Sequence, residues 1–411
     1  ILLSFKAGHR FEPKEKSGLA VLMASLMKKS TLKTSAEEVE NKLDRLGSSI
    51  SLYAGDEEIA MSIECLKVNL DATLKIANEI LFEPKFDASE FELVKKQQLD
   101  GITQQQTNAG AIADLCYRKV LYGNEDIMGI VSSGNAETVT SLSLTDVKNY
   151  YNQINATNLS IAVGGDIKKE EVSLKLAFLN KLKAGAKMPE ADNSLVKAAE
   201  PTKLYFIDKK GAAQSEIRIG YLALPYDALG EIYKATIMNF CFAGSFNSHI
   251  NYLLREIKGW TYGTRGGFYG SKYTGPYTIS GGFKANTTDS SLVELSKELK
   301  KYYDGGITDE ELAFTKNAML QSDALKYESP MQKLYFIKRV LDYNLPKDFV
   351  AKQTQILNGI TKNEINDLAK KYLPYTKMAI IVVGDKATNF EKVKALGYEV
   401  VELDSNGKKI N

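Results

Sequence analysis

The chain has 411 residues, 44% hydrophobic and 25% charged, enough to bury the cores of two globular domains. Lys and Arg outnumber Asp and Glu by only 53 to 51, a balance that argues against nucleic acid or an anionic membrane surface as a partner. No apolar run approaches the ~18 residues of a membrane span, and Cys65, Cys116 and Cys241 lie far apart without C-x-x-C spacing, so they read as buried thiols rather than a disulfide framework or a cysteine zinc site.

The chain opens on "ILLSFKAG", a strand-like run starting at Ile1 rather than Met, so any signal peptide is expected to lie ahead of it. "SGLAVLMASLMKKST", 17–31, reads as a short helix entered through Ser17 and apolar on nearly every side, the pattern of a buried helix. "SAEEVENKLDRLG" carries a Ser35 cap with Glu38 three residues on, apolar spacing through Val39, Leu43 and Leu46, and Gly47 to stop it. Alternation in "SISLYAG", 49–55, and "EIAMSIEC", 58–65, predicts two strands joined by a tight turn. Helices over roughly 70–82 and 87–107 and a closing strand at 159–165 complete the first half.

The second half repeats the first. "NLSIAVGGD" at 158–166 returns as "KMAIIVVGD" at 377–385, and "SEFELVKKQQL" at 89–99 as "EELAFTKNAML" at 310–320, at nearly the same offset. The counterpart of "PTKLYFIDKKGAAQSEIRI", 201–219, would then lie before Ile1. The expected fold class is α+β, with two homologous domains that each place helices over a mostly antiparallel sheet, a duplicated αβ roll. The expected domains are 1–185 and 201–411, joined by a polar linker at 186–200.

"AGHRFEPKEKSGLAVLMASLMKKST", the run from "LDRLG" to "ELVKK", "LYGNEDIMG", "GAAQSEIRIGY" and "LLREIKGWTYGTRGGF" together resemble the small-subunit branch of the pitrilysin/insulinase (inverzincin) metallopeptidases, which includes mitochondrial processing peptidase. The resemblance covers nearly the whole chain. Active members carry His-x-x-Glu-His in the helix that follows Gly18-Leu19-Ala20, two imidazoles on one helix face binding Zn²⁺ and the glutamate activating water. Val21, Ala24 and Ser25 stand at those positions. The ungapped register puts Gly101 where the third ligand, a glutamate, belongs, and Val94 where a supporting glutamate belongs. The resemblance therefore implies no catalytic residue and no metal in this chain, its metal face either refilled as core or never present in the ancestral subunit. His9 and His249 are the only histidines, one per repeat, which leaves no His pair in either copy, and His249 reads as a surface residue early in a helix.

The same resemblance gives Arg255 and Tyr262, in "REIKGWTY", the role of holding a peptide near its scissile carbonyl, a guanidinium and a phenol being suitable donors for a developing oxyanion. On residue types alone the pair reads as solvated charge and strand packing. A zinc-less half that retains this pair implies a non-catalytic subunit or half of a heterodimeric peptidase. It would close a chamber with a homologous zinc-bearing partner, the zinc lying in that partner and an unfolded peptide being the substrate. The alternatives are a structural core-type subunit and a stand-alone peptide-binding protein that adds the peptide at a sheet edge. "CFAGSFNSH", with Gly244 alone, lacks the long glycine-rich loop of the mitochondrial α subunit, so the resemblance favours a bacterial cell envelope or periplasm over the mitochondrial matrix.

Overall fold

The computed structural model describes residues 1–190, 192–193, 200–325 and 327–410. Among them ten strands form two sheets. The first holds β1 (Leu2–Phe5), β2 (Ser49–Ala54), β3 (Ile59–Glu64) and β4 (Leu159–Ala162); the second holds β5 (Lys203–Asp208), β6 (Gln214–Leu224), β7 (Thr261–Phe268), β8 (Gly275–Lys284), β9 (Ala379–Gly384) and β10 (Glu399–Leu403).

The first sheet runs β2-β3-β1-β4 and is antiparallel throughout, with Leu2 opposite both Ser62 and Ala162. Because side chains alternate across a strand, Leu3 and Phe5 join the main core, where the helix Leu19–Met27 contributes Leu22, Met23, Leu26 and Met27. Leu2, Ala60 and Ala162 join a smaller cluster that Leu334, from the helix Pro330–Asp342, completes. On that helix Lys338 is largely buried and pairs with Glu58 at 2.6 Å and with Asp342; Glu58 also accepts from the Ser4 hydroxyl. The helix Ala36–Arg45 begins with the expected reciprocal cap, Ser35 Oγ accepting from Glu38 N at 3.3 Å and Ser35 N donating to Glu38 Oε2 at 3.0 Å. The helices Leu70–Phe82 and Ala88–Gln105 lie where expected, while β4 ends at Ala162, short of the expected Gly165, whose φ of 150° belongs to a turn.

The second sheet runs β10-β5-β9-β6-β8-β7 and is mixed, with β5 parallel to both neighbours and the remaining pairs antiparallel. Read from β7, its order β7-β8-β6-β9 reproduces β2-β3-β1-β4, so the sequence repeat is a repeat of sheet topology; β5 and β10 extend the second copy beyond β9. The helices Glu231–Asn239, Thr288–Gly305 and Lys362–Tyr372 share a core with Phe242, Tyr277, Phe283 and Tyr302. A separate cluster sets Ile112, Ala113, Cys116 and Tyr117, from the helix Ala109–Tyr122, against Ile207, Ile381, Val383 and Leu403. That helix comes close to β6. Tyr117 donates to the Tyr277 carbonyl at 2.9 Å, Asp114 holds Arg218 at 2.7 Å, and a Cβ on Gly220 would stand 1.8 Å from the Tyr277 carbonyl oxygen.

The chain divides into two units, and neither is contiguous in sequence. One comprises Ile1–Gln104, Asn124–Glu190 and Tyr327–Asn344; the other comprises Gln105–Gly123, Ala191–Lys326 and Leu345–Asn411. The helix Ala109–Tyr122 thus leaves the first repeat for the second unit, and Pro330–Asp342, about one repeat length further on, makes the reverse move. A contiguous division into 1–185 and 201–411 misses both transfers. Of the linker at 186–200, Ala191 and residues 194–199 lie outside the described residues.

Candidate functional site

The helix Leu19–Met27 starts differently from the sequence expectation. Its cap residue is Gly18, at φ 98°, and the Ser17 hydroxyl is buried without a hydrogen-bond partner. Glu12 does the capping instead: its carboxylate accepts from Gly18 N at 3.1 Å, from Ala20 N and from His9 Nδ1 at 2.7 Å, placing negative charge at the positive end of the helix. His9 and Glu12 are both buried, and His9 Nε2 faces the carbonyls of Ile127 and Ile130.

Seven of the nine residues of this helix are buried; the two that are not are Val21 and Ser25. Those are the two positions that the family resemblance assigns to the histidines of the inverted zinc motif, one turn apart on one face. Ala24 is buried at 1% exposure, and Val94 is buried as well. Gly101 is exposed, and a Cβ built on it meets nothing within 4 Å. Ala24 and Val94 are thus core, whereas Val21, Ser25 and Gly101 are not, so the face is refilled as core only in part. Three small or apolar side chains and a glycine occupy it, and none offers a nitrogen or oxygen ligand apart from the weak Ser25 hydroxyl.

In the second unit, Arg255 lies in a π-helical segment, Tyr252–Ile257, which ends at Gly259 (φ 64°) before β7 begins. Its guanidinium sits 4.5 Å above the Phe246 ring, and Nε is 3.4 Å from Glu256. Tyr262 occupies the irregular start of β7, between Thr261 and Thr264, and is 88% exposed. Arg255 and Tyr262 make no hydrogen bond to each other, and Tyr262 projects its side chain into solvent. What holds the two elements in register is Asn251, a residue that no motif in the sequence singles out. Buried at 1% exposure, it accepts from Thr264 N at 2.9 Å and donates to the Phe246 carbonyl at 2.6 Å, tying loop, helix and strand together. Phe246, Tyr252, Ile257 and Tyr262 are exposed along this stretch.

His249 is not the surface residue expected. Its side chain is 19% exposed, with Nε2 2.6 Å from Glu311 Oε1 and 3.6 Å from Cys241 Sγ, while Nδ1 lies 3.2 Å from Glu298 in an ion-pair contact bent away from hydrogen-bond geometry. Burial alone would lower the imidazole pKa, but the contacts with Cys241 and Glu298 outweigh it and push it up to about 10. The facing imidazole holds Glu298 below the usual carboxylate range. At Glu311 burial works upward, and the hydrogen bond from Thr308 N together with His249 brings the value down. These donors come from separate segments, Cys241 from the π-helical turn Phe240–Gly244, Glu298 from Thr288–Gly305 and Glu311 from the first turn of Asp309–Leu325. Only Cys241, read as an inert thiol, and His249 had been noted in the sequence.

Comparison with known proteins places this arrangement. Residues 1–122 match the family described as insulinase (peptidase family M16), and residues 141–319 match the peptidase M16 inactive domain. A Helicobacter pylori protein named non-peptidase homolog YmxG is 25% identical over 94% of this chain and 89% of its own length. A Bacillus subtilis protein named uncharacterized zinc protease YmxG is 24% identical over 80% of this chain and 78% of its own. A crystal structure of a peptidase M16 inactive domain from Pseudomonas fluorescens superposes with a TM-score of 0.81 at 22% identity, covering 93% of this chain and 92% of that one. The repeated αβ sheet topology, the altered motif on Leu19–Met27 and these matches over both halves agree: the chain belongs to the insulinase (M16) family of peptidases.

Proposed function

We propose that this chain is the non-catalytic subunit or half, without a catalytic zinc of its own, of a two-part M16 peptidase in the bacterial cell envelope, lending Arg255 and Tyr262 to a peptide held at a zinc-bearing homologue. The observation that carries this reading is an asymmetry. The zinc-motif positions 21, 24, 25 and 101 hold nothing able to form a catalytic site, whereas Arg255 and Tyr262 retain exposed donors on a rigidly pinned helix-to-strand connection. Peptide hydrolysis develops negative charge on the carbonyl oxygen, and a guanidinium steadied by the Phe246 ring is a preorganised donor for it. By itself the chain should not cleave unstructured peptides.

The test is turnover of the reconstituted pair on a short unfolded peptide. Arg255→Ala removes one donor near the developing oxyanion and should cost on the order of 10²–10³ in rate. Folding should be nearly unchanged, because truncating a partly exposed arginine shifts stability by less than about 0.5 kcal/mol. Adding Tyr262→Phe should cost less than its separate effect if the two act as a unit. An intact complex in which Arg255→Ala turns over within about twofold of wild type would make this chain a structural scaffold.

A further inference from the structure

We propose that Cys241, His249 and Glu311 form a zinc-class divalent metal site within the second unit, structural rather than hydrolytic and separate from the lost motif on Leu19–Met27. One donor atom from each lies within 4.8 Å of the other two. The Sγ to Nε2 distance of 3.6 Å, here a thiol–imidazole hydrogen bond, also matches a tetrahedral ion: bonds of ~2.3 Å to sulfur and ~2.0–2.1 Å to nitrogen at the tetrahedral angle separate the two donors by about 3.6 Å. The Nε2 to Oε1 distance of 2.6 Å is that of a hydrogen bond and would open by under ~1 Å as an ion replaces the shared proton.

The surroundings are those of a ligand set. A metal-bound histidine usually turns its second ring nitrogen to a carboxylate, which fixes the ring and raises its basicity, and His249 Nδ1 faces Glu298 at 3.2 Å. Glu311 is oriented in the same way, its Oε2 accepting from Thr308 N at 2.9 Å so that Oε1 is the oxygen left for the site. Tyr302 closes one side with its ring edge-on to the imidazole at 5.3 Å, and its hydroxyl is committed to the Met238 carbonyl.

The donor types select the ion. Thiolate with imidazole favours zinc and its neighbours over magnesium or calcium, which take oxygen. Binding releases the thiol proton and any proton on the imidazole, since both must ligate deprotonated. Cys241 is 5% exposed, so the ion enters past Glu311, whose side chain is 30% exposed. Cys241 and His249 bracket the turn that carries Phe246, the ring under the Arg255 guanidinium, so the ion would clip both ends of that support.

The experiment loads the purified, chelator-stripped chain with Zn²⁺ or Co²⁺ and reads metal content, cobalt absorption and thermal midpoint. The expected result is one ion per chain, a thiolate-to-cobalt charge-transfer band and a raised midpoint. Cys241→Ser should abolish the band, whereas Cys65→Ser should leave it unchanged. Glu298→Ala should weaken binding by about 10–100-fold while sparing the cobalt spectrum. A folded wild-type chain that binds no ion overturns the proposal outright, as does a stoichiometric ion whose spectrum and affinity survive Cys241→Ser. Glu311→Gln serves as a second variant should Cys241→Ser fail to fold, because glutamine preserves the helix cap and only the carboxylate is lost; undiminished affinity in Glu311→Gln also overturns it.

Discussion

Gly101 stands in the interior of the helix Ala88–Gln105, exposed and with open space where a Cβ would go. Glycine in an exposed helix interior costs about 0.5–1 kcal/mol relative to alanine, so Gly101→Ala should raise the stability of the chain by roughly that amount in a denaturant titration. Gly220 is the opposite case. A Cβ there would lie 1.8 Å from the Tyr277 carbonyl oxygen and 2.3 Å from the Tyr117 hydroxyl, and the former belongs to backbone that cannot rotate away. Gly220→Ala should destabilise by about 3 kcal/mol or more, at the upper end of overpacking penalties, and should release the helix Ala109–Tyr122 from β6. The altered zinc motif was legible in sequence because its spacing is local, four residues on one helix. Cys241, His249, Glu298 and Glu311 were not. Their separations follow no single helical period, Cys241 lies in the π-helical turn Phe240–Gly244, and contact among four separate segments leaves no mark on any one of them.

At the scale of the element, a helix start is legible to the residue where its cap lies within a few consecutive residues. Ser35 with Glu38 and Thr361 with Glu364 each form a reciprocal cap that four consecutive residues announce. The start of Leu19–Met27 was misread at Ser17 because its capping group, Glu12, arrives from the preceding turn and no short motif describes it. The reciprocal caps carry a pH dependence. Glu38 and Glu364 are held below the ordinary glutamate value of 4.5, chiefly by the hydrogen bonds their carboxylates accept from the backbone N–H of Ser35 and Thr361. A carboxylate depressed by folding contributes stability above its unfolded value and loses it as pH falls through its folded one. Stability should therefore decline below 4.5, and a Glu38→Gln, Glu364→Gln double variant, which keeps acceptors at both caps, should show a shallower decline between about pH 3 and 4.5 in urea titrations.

At the scale of the whole molecule the duplication was legible as two matching pairs of segments, and the structure shows it again as a shared strand order. The exchange of helices was not legible, because Ala109–Tyr122 and Pro330–Asp342 carry the same kind of apolar face whichever sheet they cover. Its first consequence is for fragments. A piece ending near residue 190 lacks Leu334 to cover Leu2, Ala60 and Ala162 and lacks Lys338 to pair with Glu58, while a piece starting near 200 lacks the helix that pairs Asp114 with Arg218. Each should be unstable alone, and coexpression of the two should recover a soluble complex; a first-half fragment with a sharp, cooperative melt of its own would refute this. A further consequence reaches back to synthesis. The first sheet can be assembled when Glu190 has emerged from the ribosome, but its last covering helix ends at Asp342, roughly 150 residues later and about 8–30 s away at ~5–20 residues per second. Throughout that interval the nascent chain displays an unfinished apolar surface, the small cluster of Leu2, Ala60 and Ala162, which stays open until the exchanged helix arrives.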